Sequence, residues 1–159
     1  MIKFLQPLTA LLGQTFDSLA VGMSGINKAF SYNIQNAITG VFPALTVDYP
    51  MVLLSRGDLP GAVAPAAAST VAGKLDFTWT NNSGSGKALA TDIAFVAVFC
   101  ESLDSWIYSQ QTASARDAGT YSLDVSEFSG KPVHSYLGFV SANGRMFSNT
   151  AYTGLVNVL

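Results

Sequence analysis

The residues able to perform acid–base or nucleophilic chemistry are few and widely spaced in this sequence. His134 is the single histidine, and no Gly-x-Ser-x-Gly motif is present to supply a nucleophile for it. One imidazole also falls short of the ligand set of a zinc site. The carboxylates of the second half occupy separate turns and strand ends: Glu101, Asp104, Asp117, Asp124 and Glu127. We therefore predict a protein that is not an enzyme, with no catalytic residue, metal site or cofactor.

One tripeptide and one cysteine have simple structural interpretations. Arg56–Gly57–Asp58 spells a sequence that some adhesive proteins present to integrins. Gly and Asp also make turns where strands end, and we favour that interpretation here. Cys100 is the single cysteine and lies in an apolar run, which indicates a buried thiol and excludes an intramolecular disulfide.

Trp106 and Tyr108 are the aromatic residues best suited to an exposed binding patch. They follow a turn at Leu103–Asp104, whereas Trp79 alternates with polar residues in a clear strand and is predicted to lie in the core. Sugar rings pack on aromatic planes in many β-sandwich modules, and aromatic side chains with a polar end are common at interfaces. We therefore predict a ligand-binding or interface patch at Trp106 and Tyr108.

The composition favours contacts between copies of the chain. Charged residues make up 11% of the 159 residues, against about 25% in typical soluble domains. The formal net charge is −2 and the basic residues form no stripe, which argues against nucleic-acid binding. No apolar run approaches the ~18 residues of a membrane-spanning helix, so we expect no membrane insertion. A nearly uncharged surface carries little repulsion between copies, which favours association.

The N-terminal part has the periodicity of two amphipathic helices. The first has apolar residues three and four positions apart, with Pro7 in its first turn: Phe4, Leu5, Leu8, Leu11, Leu12 and Phe16. In the second, Asn27 is the candidate cap and Gly40 the stop. Its predicted apolar face consists of Ile26, Phe30, Ile34, Ala37 and Ile38.

After Pro43 the period changes to that of β-strands. Residues 57–73 are rich in Gly, Pro and Ala without periodicity and are predicted to be a long connection. The run Ile93–Cys100 is apolar on both faces, so it should be a central strand or one whose outer face meets something else. The predicted strands cover 45–49, 51–54, 74–80, 93–100, 106–109, 121–125, 136–142 and 146–158.

The spacing of the turns indicates an immunoglobulin-like sandwich. Asn143–Gly144 is the pair most favoured in a two-residue hairpin, because both positions tolerate positive φ. About seven strands separated by turns at roughly 8–12 residues are typical of this sandwich. Tyr136, Gly138 and Val140 before that turn resemble the penultimate strand of fibronectin type III modules, with Tyr136 as the corner tyrosine.

Several motifs together resemble a bacterial family of unknown function found in many Bacteroidota. They are the segment 31–40 (SYNIQNAITG), Phe42–Pro43, Asp48–Tyr49, the segment 55–60 (SRGDLP), the opening residues 3–8 and the strand Leu75–x–Phe77–x–Trp79. The resemblance covers nearly the whole chain and implies no activity. In relatives the turn at 55–59 looks like Ser-Lys/Arg-Gly-x-Leu, which implies a strand-ending turn and not receptor recognition.

These observations predict a mainly β protein with two N-terminal α-helices packed on an immunoglobulin-like, fibronectin type III-like antiparallel sandwich. We expect a helical segment at 1–44 and the sandwich at 45–159. The predicted function is a non-enzymatic structural protein that self-assembles, as a filament, surface layer or virion component, through a low-charge surface and strand-mediated contacts that include Ile93–Cys100. The alternative is an adhesive or glycan-binding module. The expected partners are copies of the chain or a glycan, and an extracellular, cell-surface or virion location is favoured over a cytoplasmic one.

Overall fold

The computed structural model describes residues 1–17, 21–109 and 113–159. The helices within them are α1 Ile2–Leu5, α2 Thr9–Thr15 and α3 Gly25–Asn36. The strands are β1 Ile38–Val41, β2 Ala44–Val47, β3 Val63–Ala68, β4 Lys74–Thr80, β5 Ile93–Cys100, β6 Ser105–Tyr108, β7 Thr120–Asp124, β8 Pro132–Val140 and β9 Ala151–Asn157.

The strands β3 to β9 form a sandwich of two antiparallel sheets. One sheet has the order β3-β4-β7 and the other the order β6-β5-β8-β9. The chain passes from one sheet to the other between β4 and β5, between β6 and β7 and between β7 and β8. This division into three and four strands is that of a fibronectin type III-like sandwich. The predicted fold class, a mainly β sandwich preceded by helices, is confirmed.

Alternation along β4 builds one side of the core. Leu75, Phe77 and Trp79 are buried, and the residues between them are half-buried or exposed, as the sequence predicts. They pack against the apolar inner face of the other sheet, which includes Val96 and Phe139. Each large apolar side chain removed from water in this way contributes roughly 1.5–3 kcal/mol.

The strand β5 is buried on both faces within the chain itself. Val96 and Val98 belong to the core between the two sheets. Ala97 and Phe99 point the other way and belong to a second apolar cluster, formed with the N-terminal segment. The outer face of Ile93–Cys100 is therefore covered by the chain's own residues, and the prediction that this strand mediates contact between copies is wrong.

The N-terminal segment supplies that cover. Instead of one continuous helix, α1 and α2 are separated by a 3₁₀ turn at Gln6–Leu8. Pro7 lies in this turn, where its missing N–H costs little. The predicted apolar stripe is correct, since all but one of its members are buried: Phe4, Leu5, Leu8, Leu12 and Phe16.

The boundaries of α3 differ from those predicted. Ser24 is the N-cap, and its hydroxyl oxygen accepts a hydrogen bond from the backbone N–H of Asn27 at 3.3 Å. The helix ends at Asn36, before the predicted stop at Gly40. Gly40 lies in β1 with φ of 98°, and a Cβ there would collide with the carbonyl oxygen of Ala44.

The buried face of α3 is also rotated from the predicted one. Ala29, Asn33 and Ala37 are buried, whereas Ile34 is exposed. The Asn33 amide explains the difference, because it donates to the Leu53 carbonyl and accepts from the Leu53 N–H, each at 2.9 Å. The backbone of Leu53 has no strand partner, and the buried Asn33 side chain satisfies its hydrogen bonds. This pairing fixes the orientation of α3.

The strands β1 and β2 form a two-stranded ribbon outside the sandwich. Their antiparallel register runs from Ile38 opposite Val47 to Val41 opposite Ala44. The sequence predicts a sandwich strand at 45–49 and helix up to residue 39, and both predictions are wrong. Residues with β-branched side chains on both sides of Phe42–Pro43 favour an extended ribbon instead. The expected boundary between residues 44 and 45 falls inside this ribbon, and the division into two segments stays a prediction.

The stretch between the ribbon and β4 differs from the prediction in two places. A 3₁₀ turn occupies Tyr49–Met51 and no strand covers 51–54. The expected irregular connection at 57–73 contains β3, which pairs with β4. Because Val63–Ala68 consists of small residues and a proline, it has no alternation that a sequence pattern could reveal.

The turn at Asn143–Gly144 lies where the sequence predicts, but it is a longer connection. Gly144 has φ of 73°, and its N–H donates to the Ser141 carbonyl at 2.8 Å. The Ser141 N–H donates to the Met146 carbonyl at 2.9 Å, so residues 142–145 make the loop. Only the glycine requires a positive φ, and a two-residue hairpin is not formed.

Candidate interaction surface

The predicted patch lies on the outer face of the four-stranded sheet, in contact with the N-terminal segment. The indole N–H of Trp106 donates to the Phe4 carbonyl at 2.9 Å, and the two rings lie 5.1 Å apart. Trp106 and Tyr108 are both half-buried and pack against the same apolar cluster as Phe99. The patch keeps only part of its aromatic surface open to solvent, and a ligand or partner at Trp106 and Tyr108 stays a prediction.

Phe4 is the centre of this aromatic contact. Its ring lies 4.7 Å from Phe99 and 5.8 Å from Tyr49, in edge-on arrangements at both. Edge-on aromatic pairs contribute roughly 0.5–1.5 kcal/mol beyond their apolar burial. This contact fastens the N-terminal segment to the sheet and covers the face on which a ligand would otherwise stack.

His134 lies beside this cluster, at the edge of the covered face. Its Nδ1 is 2.9 Å from the Tyr152 hydroxyl, and its ring stacks on Tyr49 with centroids 3.7 Å apart. Burial lowers the pKa of His134, and the Glu101 carboxylate partly opposes that effect. Because burial disfavours its charged form, the imidazole is neutral near pH 7, and its Nδ1 is engaged by the Tyr152 phenol.

The tyrosines around His134 are held in their neutral form. Burial, reinforced by the Glu101 carboxylate, raises the pKa of Tyr49 to about 12. Burial also raises the pKa of Tyr136 and of Tyr152. A phenol must lose its proton to act as a nucleophile, base or metal ligand, so this cluster is adapted to packing and hydrogen bonding. Across residues 1–17, 21–109 and 113–159, no group of His, Cys, Asp or Glu side chains could hold a metal ion.

A buried ion pair, which the sequence does not signal, connects the sandwich to its loops. Arg116 and Asp92 are both fully buried, with Nε and Oδ2 3.0 Å apart. The guanidinium also donates to Asn82 Oδ1 at 2.7 Å and to the Pro60 carbonyl at 2.8 Å. Its carbon lies 3.9 Å from the centroid of the Phe139 ring. A 3₁₀ turn at Arg116–Ala118 begins at this residue, and its side chain points inward.

The Arg-Gly-Asp triplet is fixed to the neighbouring segment 147–150. Gly57 N–H donates to Asn149 Oδ1 at 3.2 Å, and a Cβ on Gly57 would collide with the Phe147 carbonyl oxygen. The Arg56 guanidinium lies 4.8 Å from the centroid of the Tyr32 ring. These contacts hold the triplet in place, and the glycine is required for close approach. Within the described residues no strand lies between β2 and β3, so the predicted strand-ending turn is not formed.

The most exposed apolar element is the ribbon formed by β1 and β2. Every residue from 39 to 46 is exposed, including Val41 at 83%, Phe42 at 82% and Leu45 at 51%. The stretch 38–47 contains no charged residue. Sequence reasoning missed this element because Ile38 completes the helical periodicity of α3 and hides the start of β1. The change of period after Pro43 was the available signal.

The two antiparallel sheets define the class of the protein, a fibronectin type III-like β-sandwich. Two solved structures are similar to parts of this chain. The fn3 domain of human collagen alpha-1(XX) matches with 13% identity and a TM-score of 0.46, over 63% of this chain and 87% of that domain. The FN1–FN3 domains of chicken CNTN1 match with 11% identity and a TM-score of 0.49, over 64% of this chain. The match spans 34% of the chicken chain.

Residues 1–154 match the family of unknown function DUF6266, and the chain belongs to that family. The predicted membership of an uncharacterised family is confirmed. No curated protein matches the chain. In the parts of the chain that the structure describes, no helix is long and apolar enough to cross a membrane.

Proposed function

We propose that this protein is a non-enzymatic structural protein that self-associates through its sheet edges, as a component of a filament, surface layer or virion. The observation that supports it most is the lack of charge on the edge strands of the sandwich. The edges are β3 and β7 of one sheet and β6 and β9 of the other. β3, β6 and β9 contain no charged residue, and β7 contains only Asp124.

Charge on an edge strand is the usual protection against pairing with another molecule. Unpaired N–H and C=O groups along an edge can bind a further strand, and natural sheets prevent this with lysine, proline, bulges or covering segments. Here Pro65 protects β3 in that way. The remaining edges lack lysine, and the net charge of −2 gives little repulsion between approaching copies. Strand addition is a recognised mode of assembly that such edges favour.

The test is the mass of the native particle. Analytical ultracentrifugation and electron microscopy over a range of protein concentrations should reveal oligomers or polymers whose fraction rises with concentration. The same measurement at high salt should change little, because the contacts are uncharged. A protein that stays monomeric at every concentration refutes the proposal. An extracellular, cell-surface or virion location is part of this proposal.

The second candidate function is a glycan-binding module at Trp106 and Tyr108. The observation in its favour is that both rings keep part of their surface open on the outer face of a sheet. A glycan array would give hits that a Tyr108→Ala variant loses. An array without hits, together with concentration-dependent oligomers, favours the structural function.

A further inference from the structure

We propose that the β1–β2 ribbon is the contact between copies, and that it pairs with the same ribbon of a second copy of this chain. This inference rests on the proposed self-association and assigns the contact to the free strand edges of the ribbon instead of the edges of the sandwich. The ribbon, residues 38–47, is attached to the molecule at one end only. Ile38 and Val47 are half-buried, and the Asp48 N–H donates to the Ala37 carbonyl at 3.0 Å. All residues beyond that base are exposed.

An isolated two-stranded ribbon is an incomplete structure in water. Two strands alone are marginally stable, and three or more strands with an apolar face are needed for independent stability. Each strand of this ribbon pairs with the other and leaves its outer edge free, since the structure assigns β1 and β2 to a sheet of two. Pairing two ribbons edge to edge would give a sheet of four strands and satisfy the free backbone groups along one edge of each ribbon.

Both faces of the ribbon offer apolar surface to a partner. Val41 is opposite Ala44, and their side chains share one face of the ribbon. In the next pair along, Gly40 opposite Leu45, the Leu45 side chain lies on the other face. Val41 and Leu45 are thus exposed on opposite faces, with Phe42 at the tip. A neighbour that pairs with this edge would also shield apolar side chains above and below the sheet.

The absence of charge on the ribbon favours a second copy of this chain as its partner. A nucleic acid, an anionic lipid surface or a charged protein would be recognised by charged groups, and residues 38–47 have none. The ribbon of a second copy is uncharged along its whole length, so no charge loses its water when two ribbons meet. The sandwich edges match less well, because β7 carries Asp124, β3 contains Pro65, and β6 and β9 are largely half-buried.

The size of the ribbon predicts how strong the contact is. The 8 exposed residues from 39 to 46 are fewer than the roughly 20–30 residues that each partner contributes to a standard interface. We therefore expect a weak dimer of the free chain, formed at high protein concentration. A contact between two identical patches has two-fold symmetry and closes after one pair.

The experiment compares the wild-type chain with variants at exposed positions. Sedimentation from about 10 μM to about 1 mM covers the range expected of a weak contact. Val41→Lys and Leu45→Lys place a charge on either face of the ribbon and should weaken dimerisation at least about tenfold. The control is Val71→Lys, at a 59%-exposed position outside all the strands, which should dimerise as the wild type does. Far-ultraviolet circular dichroism and the unfolding midpoint confirm that each variant folds.

The outcomes separate this inference from the proposed function. Oligomers that persist unchanged in both ribbon variants overturn the ribbon contact and leave self-association intact, whereas a monomeric wild type refutes both. A tagged Val41→Lys chain that still captures untagged wild type shows that ribbons bind a different edge, which overturns ribbon-to-ribbon pairing. Flotation with phosphatidylcholine vesicles that Val41→Lys abolishes would identify a membrane as the occupant and also overturn the inference.

Discussion

Replacing Asp92 by leucine should cost this protein a large part of its stability. Asp92 Oδ2 accepts from Arg116 Nε at 3.0 Å and from the Leu89 N–H at 2.8 Å, and neither charged side chain is accessible to water. The variant leaves the guanidinium without its counter-charge. Burial already lowers the pKa of Arg116, and the Asp92 carboxylate opposes that effect. Arginine nevertheless stays protonated, so the charge remains and must be solvated or exposed.

The expected loss follows from this geometry. Removing one partner of a buried ion pair typically lowers the free energy of unfolding by about 3–5 kcal/mol. Domains of this kind have roughly 5–15 kcal/mol in total, so the loss is a large fraction of the whole. Arg116→Met should cost a similar amount, because it leaves the Asp92 carboxylate without its counter-charge and the Pro60 and Asn82 acceptors without this donor. The double variant should cost less than the sum by about 0.5–3 kcal/mol, since neither charge is then stranded.

Urea unfolding followed by far-ultraviolet circular dichroism gives these free energies. Tryptophan fluorescence is a poorer probe, because Trp79 Nε1 donates to the Arg116 carbonyl at 2.7 Å. The matched control is Lys74→Met, which breaks an exposed pair with Asp124 at 3.5 Å and should cost less than about 1 kcal/mol. If Asp92→Leu costs no more than that control, or if the two substitutions at the buried pair add, the reasoning is refuted.

Three further predictions concern the site. Trp106→Phe removes the hydrogen bond to the Phe4 carbonyl and should lower the free energy of unfolding by about 0.5–1.5 kcal/mol, with faster amide hydrogen exchange in the N-terminal helices; unchanged exchange would contradict it. Gly57→Ala collides with a backbone oxygen and should destabilise the protein by more than 1 kcal/mol in urea unfolding, on the order of an overpacked site, whereas Asp58→Ala, at an exposed position, should not. Burial lowers the pKa of His134 from 6.5 in the folded protein. As pH falls, the unfolded chain therefore binds a proton on this imidazole before the folded protein does. The neutral, buried imidazole contributes its full stabilisation above pH 6.5, and that contribution is lost as pH falls towards the pKa of the folded state. His134→Gln should therefore lose less stability than the wild type between about pH 7 and pH 5, and an equal loss in both proteins would disprove the assignment.

The sequence by itself determines the parts of this protein whose pattern is local. Alternation in β4 and the apolar stripe from Phe4 to Phe16 are direct consequences of side-chain geometry in a strand and a helix. The apolar character of both faces of β5 likewise indicates that something covers it. Which segment does so is not a local property, and the covering residues lie about 90 positions earlier in the chain.

The tertiary structure alone decided the burial of Arg116, the covering of Trp106 and the exposure of the ribbon. No local pattern indicates the burial of Arg116, because its partners Asp92, Asn82 and Pro60 come from separate parts of the chain. The ribbon reads as the end of a helix followed by a sandwich strand, since its two halves match the periods of their neighbours. For Arg116 and Trp106 the deciding energy comes from residues distant in sequence, through desolvation of a charge and the packing of aromatic rings. A pattern within one segment cannot carry that information.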